Sequence, residues 1–206
     1  MSETLMVWLR IATRLVLVQL TMAALSLLGL VLLGTAPAAT AAAAVVGPVR
    51  RDEDLPVVRT MWGVWRDSLL RSNLAAAPAG LLAAAAAGNL VLLSTGGLDG
   101  PGPAGALLAT AAALVLVLSG LTWAISVTLA ADPALSAAEV LRAGVLFPFV
   151  FPGTGLSLLV TLAAVGLLGA VVPVAAVLVG GAAAMLCTEV LVSARRRLLT
   201  EHLAPA

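Results

Sequence analysis

The most constraining feature of this 206-residue sequence is a series of long apolar runs. Five runs extend over residues 15–33, 74–93, 107–130, 156–172 and 174–192. A helix of about 19 residues measures roughly 28 Å, which is close to the hydrocarbon thickness of about 30 Å in a bilayer. The runs therefore predict an all-α, polytopic membrane protein with five clear transmembrane helices.

The composition excludes several other classes of protein. Apolar residues make up 62% of the chain and charged residues 10%, whereas soluble domains have about 45–50% and about 25%. A chain of this length cannot hide such an excess in a core, which excludes a soluble enzyme and a disordered chain. Cys187 has no second cysteine for a disulfide, and a net charge of +1 provides no broad basic surface for nucleic acid. We predict one membrane domain over residues 1–206.

The start of the chain allows two interpretations. Arg10 and Arg14 precede the first apolar run, and the small residues 36–39 follow it, as in a cleaved secretory signal. The run is longer than the apolar part of such signals, which has about 7–15 residues. A retained helix is therefore favoured, with a signal peptide as the alternative.

Two amphipathic segments lie between the apolar runs. Residues 56–72 place Val58, Met61, Trp62, Trp65 and Leu69 on one helix face. This pattern predicts a helix at the membrane interface that leads into the next span. The second segment begins at Ser136, whose spacing to Glu139 fits a capping box, and it ends near Phe147 because Pro148 follows.

The arginines predict the orientation, because short cytoplasmic loops collect basic residues. Nine arginines fall on one side of the predicted spans: Arg50, Arg51, Arg59, Arg66, Arg71, Arg142, Arg195, Arg196 and Arg197. The glycine-rich turn at residues 94–103 and the turn at Pro173 contain no basic residue. We expect these two turns on the opposite side, with the first closing a tight hairpin.

Whether Arg10 and Arg14 lie on the same side of the membrane as the other arginines depends on whether residues 35–49 also cross it. Pro37 suits a helix start, and Gly47 and Pro48 predict an end near Val46. We expect a short, membrane-embedded helix of small residues packed against its neighbours, which would place both termini in the cytoplasm. The length of this segment only just suffices to cross the membrane.

Small residues also recur every four positions in the second run, at Ala76, Gly80, Ala84 and Gly88. They share one helix face and would allow a second helix backbone to approach closely. The stripe predicts a packing seam.

One part of the chain carries a recognisable motif. It comprises Gly34, Pro37, Ala38 and Ala41, then Arg51, Glu53, Asp54, Pro56, Val57, Arg59, Thr60 and Trp62, and finally Arg71, Ser72, Asn73 and Leu74. In this order and spacing the chain resembles the YesL-like family of bacterial membrane proteins of unknown function. The resemblance is strongest over residues 28–81.

The resemblance implies a location and a context, without a catalytic residue. Family members resemble multi-pass inner-membrane proteins, and some are encoded near sugar-uptake transporters and glycan-degrading enzymes. It therefore implies an accessory role in carbohydrate uptake, with a sugar-transporter permease as the partner.

Glu189 is the ionisable residue that falls clearly within a predicted span. An intramembrane carboxylate suggests proton or cation coupling. The favoured alternative is that it reaches the interface and pairs with Arg196, seven residues later. Asn73 and Asn89 are the other candidate intramembrane polar residues.

The remaining polar residues suggest little chemistry. Arg50, Arg51, Arg59, Arg66 and Arg71 could bind an anion or a lipid headgroup, although fixing the orientation and pairing with nearby carboxylates is the favoured role. His202 is the single histidine, and Cys187 has no neighbouring base in the sequence. We therefore expect no metal, no cofactor and no enzymatic activity.

These observations predict an inner-membrane protein with a non-catalytic accessory or assembly role. Its partners would be membrane lipid and either a sugar-transporter permease or further copies of the chain, and not nucleic acid. The alternative function is a small oligomeric transporter or channel.

Overall fold

The computed structural model describes residues 3–31, 33–95 and 102–203. Within these residues the chain is helical and contains no strand, which confirms the predicted all-α class. The helices are α1 (Glu3–Leu28), α2 (Thr35–Arg50), α3 (Val57–Ser94), α4 (Pro103–Leu129), α5 (Ala137–Val150), α6 (Pro152–Val171), α7 (Pro173–Ala175) and α8 (Gly181–Leu203), with a π-helical turn at Ala176–Gly180.

The number of helices that could cross a membrane is smaller than predicted. Among the described residues, three stretches are long and apolar enough: Thr4–Leu28, Val57–Ser94 and Pro103–Leu129. A fourth exists only if α5 and α6, which are bent by 99° at their junction, count as one span. The prediction of five clear spans is therefore wrong. The run 174–192 is interrupted by the π-helical turn, and α8 continues past it into charged residues.

The short helix α2 lies at the centre of the bundle. Twelve of its 16 residues are buried, and it contacts α1, α3, α4 and α8. The predicted short helix packed against its neighbours is thus confirmed, but its predicted end near Val46 is wrong, because the helix continues through Pro48 to Arg50. A helix of this length measures roughly 24 Å.

A tight turn joins α1 to α2 and depends on glycine. A Cβ atom on Gly29 would lie 2.3 Å from the Cα atom of Gly34, and a Cβ atom on Gly34 would lie 2.4 Å from the carbonyl oxygen of Ser26. Leu30 and Val31 adopt φ angles of 57° and 59°, which are strained for side chains of this size. Residues 36–39, which could have formed a signal cleavage site, lie within α2.

The amphipathic segment 56–72 is the first half of α3 and forms no separate helix. Met61 and Trp65 are buried in the core cluster that contains α2, while Trp62 stays half exposed. The Nδ2 atom of Asn73 donates a hydrogen bond of 2.9 Å to the carbonyl oxygen of Leu33. The buried face of this segment therefore packs against α2, with Trp65 buried in the core and Trp62 exposed.

The predicted packing seam on α3 is present at one end. Ala76 is fully buried, and the Cβ position of Gly80 lies 3.4 Å from the Cδ1 atom of Trp123 on α4. Ala84 and Gly88 are exposed. Most of the glycine-rich turn between α3 and α4 lies outside the described residues.

The second amphipathic segment begins as predicted. The Ser136 hydroxyl accepts a bond from the Glu139 backbone N–H at 3.4 Å, and the Glu139 carboxylate accepts one from the Ser136 N–H at 2.8 Å. This capping box starts α5, which then continues through Pro148 to Val150, beyond the predicted end. A Cβ atom on Gly144 would lie 2.3 Å from the Oγ atom of Ser126 and 3.2 Å from the carbonyl oxygen of Thr122, so the lack of a side chain at Gly144 lets α5 cross close to α4.

Candidate functional site

Glu189 faces a small cleft between α2, α4 and α8. The cleft has a volume of about 260 Å³ and is lined by Ala43, Ala44, Gly47, Pro48, Arg51, Thr128, Leu129, Ala131, Glu189, Val192 and Ser193. It therefore lies at the carboxyl ends of α2 and α4, where the central helix meets two of its neighbours. The run of small residues at this end of α2 leaves the space.

Gly47 makes room for the carboxylate. A Cβ atom built on Gly47 would lie 3.3 Å from the Oε1 atom of Glu189 and 3.5 Å from its carboxyl carbon. The sequence pattern predicted a helix end beside Gly47. Instead, Gly47 lies inside α2 and lets the Glu189 side chain approach the helix backbone.

Within the described part of the chain, the Glu189 carboxylate lacks a close partner. Its Oε2 atom is buried and has no hydrogen-bond donor there. Arg51 lines the same cleft, but its Nε–H donates to Glu53. This hydrogen bond raises the pKa of Arg51 and lowers the pKa of the Glu53 carboxyl; Glu189 adds a smaller electrostatic contribution to Arg51.

The expected pairing of Glu189 with Arg196 falls on a side chain outside the described residues. The two hydroxyls of the cleft direct their hydrogens to helix carbonyls, Thr128 to Ala124 at 2.8 Å and Ser193 to Val190 at 3.3 Å. Their oxygens remain acceptors toward the cleft. The site therefore offers one carboxylate and neutral oxygens, which suit a proton, a small cation or a hydrogen-bond donor, together with the Arg51 side chain, whose charge is paired with Glu53.

The structure does not bring the three candidate intramembrane polar residues together. Asn73 is used as a tether, since its Nδ2 atom donates to Leu33 and to the Leu69 carbonyl oxygen at 2.8 Å. Asn89 is exposed near the end of α3. Neither residue lines the Glu189 cleft.

The motif residues also occupy several different places. Pro37, Ala38 and Ala41 are buried in α2, and Arg51 lines the Glu189 cleft. A second group, Pro56, Arg59 and Trp62, lines a groove between α1 and α3. Gly34 forms the α1–α2 turn described above.

Arg71 binds the turn that follows α4. Its Nη1 atom donates to the carbonyl oxygens of Asp132 at 3.0 Å and Leu135 at 3.4 Å, and its Nη2 atom donates to the carbonyl oxygen of Ala130. A cation at a helix C-terminus is favoured, because the unpaired carbonyls there carry partial negative charge. Arg71 therefore joins α3 to the α4–α5 turn.

The other arginines do not form a single anion site. Arg51 pairs with Glu53 and Arg66 with Asp67, as expected for arginines neutralised by nearby carboxylates. Sequence reasoning missed three longer-range pairs: Arg10 with Asp52 at 2.9 Å, and Arg14 with Asp54 at 3.1 Å and with Asp52 at 3.5 Å.

These missed pairs are separated by about forty residues in sequence, and only the α1–α2 hairpin brings them together. The signal that could have found them is complementary charge: two arginines lie in the first half of α1 and three acidic residues follow α2. Because the two helices are antiparallel neighbours, these charges meet.

Comparison with known proteins adds one match. A family model described as "Protein of unknown function, DUF624" matches residues 15–90, from α1 through α2 to most of α3. The match is consistent with the resemblance drawn from the motif and covers well under half of the chain. No curated protein and no solved structure matched.

Replacing Arg71 by alanine is expected to destabilise the protein by at least about 2 kcal/mol, because each hydrogen bond to a charged group contributes about 1.5–3 kcal/mol. Thermal unfolding of the detergent-purified variant, followed by loss of the monodisperse gel-filtration peak, measures this effect. Arg66→Ala on the same helix is the control and should shift stability by about 0.5 kcal/mol or less. Equal stability of the two variants would contradict the tethering role.

Proposed function

We propose that this protein is a YesL-like inner-membrane protein that acts as a non-catalytic accessory or assembly partner. The observation that carries this proposal is the use of five motif residues as scaffold. Pro37, Ala38 and Ala41 build the buried helix, and Arg71 and Asn73 hold turns in place. Motif residues that hold the fold together support a role in presenting a surface to another protein.

The outer surface is suited to contacts within the membrane. Large apolar side chains are exposed along several helices, including Leu81 on α3, at 71% exposure, and Leu167 on α6, at 69%. In a bilayer such faces contact either lipid or another transmembrane helix. The partner proposed for one of these faces is a permease of sugar uptake, as the family resemblance implies.

A photo-reactive residue placed at Leu81 or at Leu167 tests the accessory role in intact cells. We expect one position to give a crosslink to a second membrane protein, identified as a permease by mass spectrometry, and the other position to serve as the control face. Crosslinks to lipid alone at both positions, or only to another copy of this chain, would contradict the accessory role.

The proposed orientation has both termini in the cytoplasm. It is supported by the pairing of Arg10 and Arg14 with Asp52 and Asp54, which joins the basic start of α1 to the loop before α3. Positive residues collect on the cytoplasmic side of short loops. The α3–α4 connection then faces the outside.

Single cysteines in a Cys187→Ala background test this orientation. An impermeant thiol reagent added to intact cells should label Thr95→Cys at the end of α3 but not Ala134→Cys in the α4–α5 turn, since only the first faces outward. Both positions are exposed and should be labelled after permeabilisation. The reverse pattern in intact cells would overturn the orientation.

The alternative function, a small transporter or channel, is favoured by the Glu189 cleft alone. A buried carboxylate oxygen that has no hydrogen-bond donor among the described residues, beside acceptor oxygens, is an arrangement that can take up a proton or cation.

Proteoliposomes with an internal pH dye and an imposed membrane potential measure this activity. If the alternative holds, the wild-type protein should carry a proton flux that Glu189→Gln abolishes, because the amide cannot take up a proton at this position. Asp67→Asn, at an exposed position on α3, is the matched control and should retain the flux. Absence of flux in the wild-type protein, or equal flux in both variants, would remove the proton-coupled alternative.

A further inference from the structure

We propose that the groove between α1 and α3 binds one anionic phospholipid, with its phosphate at Arg59 and its acyl chains along α1. The groove has a volume of about 900 Å³ and opens to the surface of the bundle. Its size lies toward the upper end of ligand sites, which run from about 300 to 1,000 Å³. We define the α1–α3 groove by Arg14, Leu20 and Leu28 on α1, and by Pro56, Arg59 and Trp62 on the opposite wall.

The groove changes from basic to apolar along its length, as a phospholipid does. Arg14 begins the α1 wall, beside the loop that leads into α3 at Pro56 and Arg59. From there the α1 wall continues over Leu17 and Leu20 to Leu28, about 20 Å further along the helix. Leu28 is 64% exposed, so the apolar end is open to a hydrocarbon chain.

The charge at the basic end is available for an anion. The Arg14 guanidinium is engaged by the Glu53 carbonyl oxygen and the Asp54 carboxylate. Asp52 is held by Arg10 and Glu53 by Arg51, so the loop carboxylates are each balanced by an arginine. Arg59 is exposed and forms no ion pair with the acidic residues that the structure describes. Of the two arginines that line the groove, Arg59 is therefore the one whose charge is available to bind a phosphate.

The aromatic wall of the groove is held in position. Trp62 lines the groove and stacks on Trp65, with ring centroids 5.4 Å apart and planes 20° from parallel. Trp65 belongs to the buried cluster around α2, so it anchors its neighbour. An indole ring beside a basic residue suits the headgroup region, where tryptophan side chains are enriched.

Charge complementarity decides between the possible occupants. A transmembrane helix of a partner protein or a second copy would fill an apolar groove but would leave Arg59 without a counter-charge. An anionic phospholipid supplies both apolar chains and a phosphate, and arginine binds phosphate through two parallel hydrogen bonds. The α1–α3 groove is thus assigned to this lipid class.

Native mass spectrometry of the full-length protein from mild detergent tests the assignment, with phosphatidylglycerol and phosphatidylcholine as the added lipids. We expect a 1:1 adduct with phosphatidylglycerol in preference to phosphatidylcholine. Arg59→Gln should weaken this adduct about fivefold, the effect of removing one arginine from a membrane-surface site. Arg66→Gln removes the same charge from the same helix outside the groove and should leave the adduct unchanged.

A second pair of variants tests the acyl part of the groove. Ala24→Phe places a ring in the groove and should reduce the adduct, while Ala23→Phe adds the same ring to a neighbouring exposed position of α1 outside the groove lining. Monodisperse gel filtration shows that each variant is folded. Equal adducts in Arg59→Gln and Arg66→Gln, no headgroup preference, or a dimer that only Ala24→Phe dissociates would each overturn the proposal.

Discussion

The close packing of α2 against its neighbours is the interaction on which the structure depends. Its buried residues are mainly alanines and valines, together with Pro37, Thr40 and Gly47. Within lipid there is no hydrophobic driving force between helices, so association relies on van der Waals contact and on hydrogen bonds between close backbones. Small side chains allow α1, α3, α4 and α8 to approach one short helix. A larger residue at a buried position of α2 would separate them.

Polar contacts complete the bundle at the turns. Arg71 donates hydrogen bonds to the carbonyls after α4, and Asn73 donates one to the α1–α2 turn. Beside the π-helical turn, the Gln19 side chain accepts a hydrogen bond of 2.8 Å from the Ala182 N–H. Each of these backbone groups lies where helical hydrogen bonding ends or changes register. An unsatisfied backbone group in a low-dielectric environment is costly, which explains why the scarce polar residues are placed at these positions.

The Glu189 cleft and the α1–α3 groove remain outside this structural role, and they differ from each other in size, openness and charge. Glu189 places a carboxylate in a cleft of about 260 Å³ closed in by three helices. The α1–α3 groove is larger, open and mostly apolar, with Arg59 at one end. The first is proposed as a site for a proton or a small cation, and the second as a site for a phospholipid. Neither feature depends on the other, because the Glu189 cleft lies against α2, α4 and α8 and the groove lies between α1 and α3.

The parts of the structure differ in how much of them could be predicted from the sequence. Helical structure, the Ser136 cap and the buried short helix follow from local patterns, because apolar runs, capping spacing and small residues act over a few residues. The count of spans failed at residues 156–172 and 174–192, because hydropathy reveals neither the 99° bend between α5 and α6 nor the π-helical turn. The candidate site could be predicted only as Glu189. Gly47 and Arg51 enter the cleft through helix packing, which no pattern around Glu189 contains.

The sequence by itself determined that the chain is an all-helical protein of membrane character, since composition and the length of apolar runs depend on no contact between helices. Only the tertiary structure decided what the motif residues and the arginines of α1 do, because Arg71, Asn73, Arg10 and Arg14 act on partners about forty to sixty residues away. The surroundings of Trp62 and Trp65 were also decided by the tertiary structure. The two residues are close neighbours on α3, but Trp62 lines the groove and Trp65 is buried in the core. Which of two adjacent faces is buried depends on where α2 packs, and that is a property of the whole bundle.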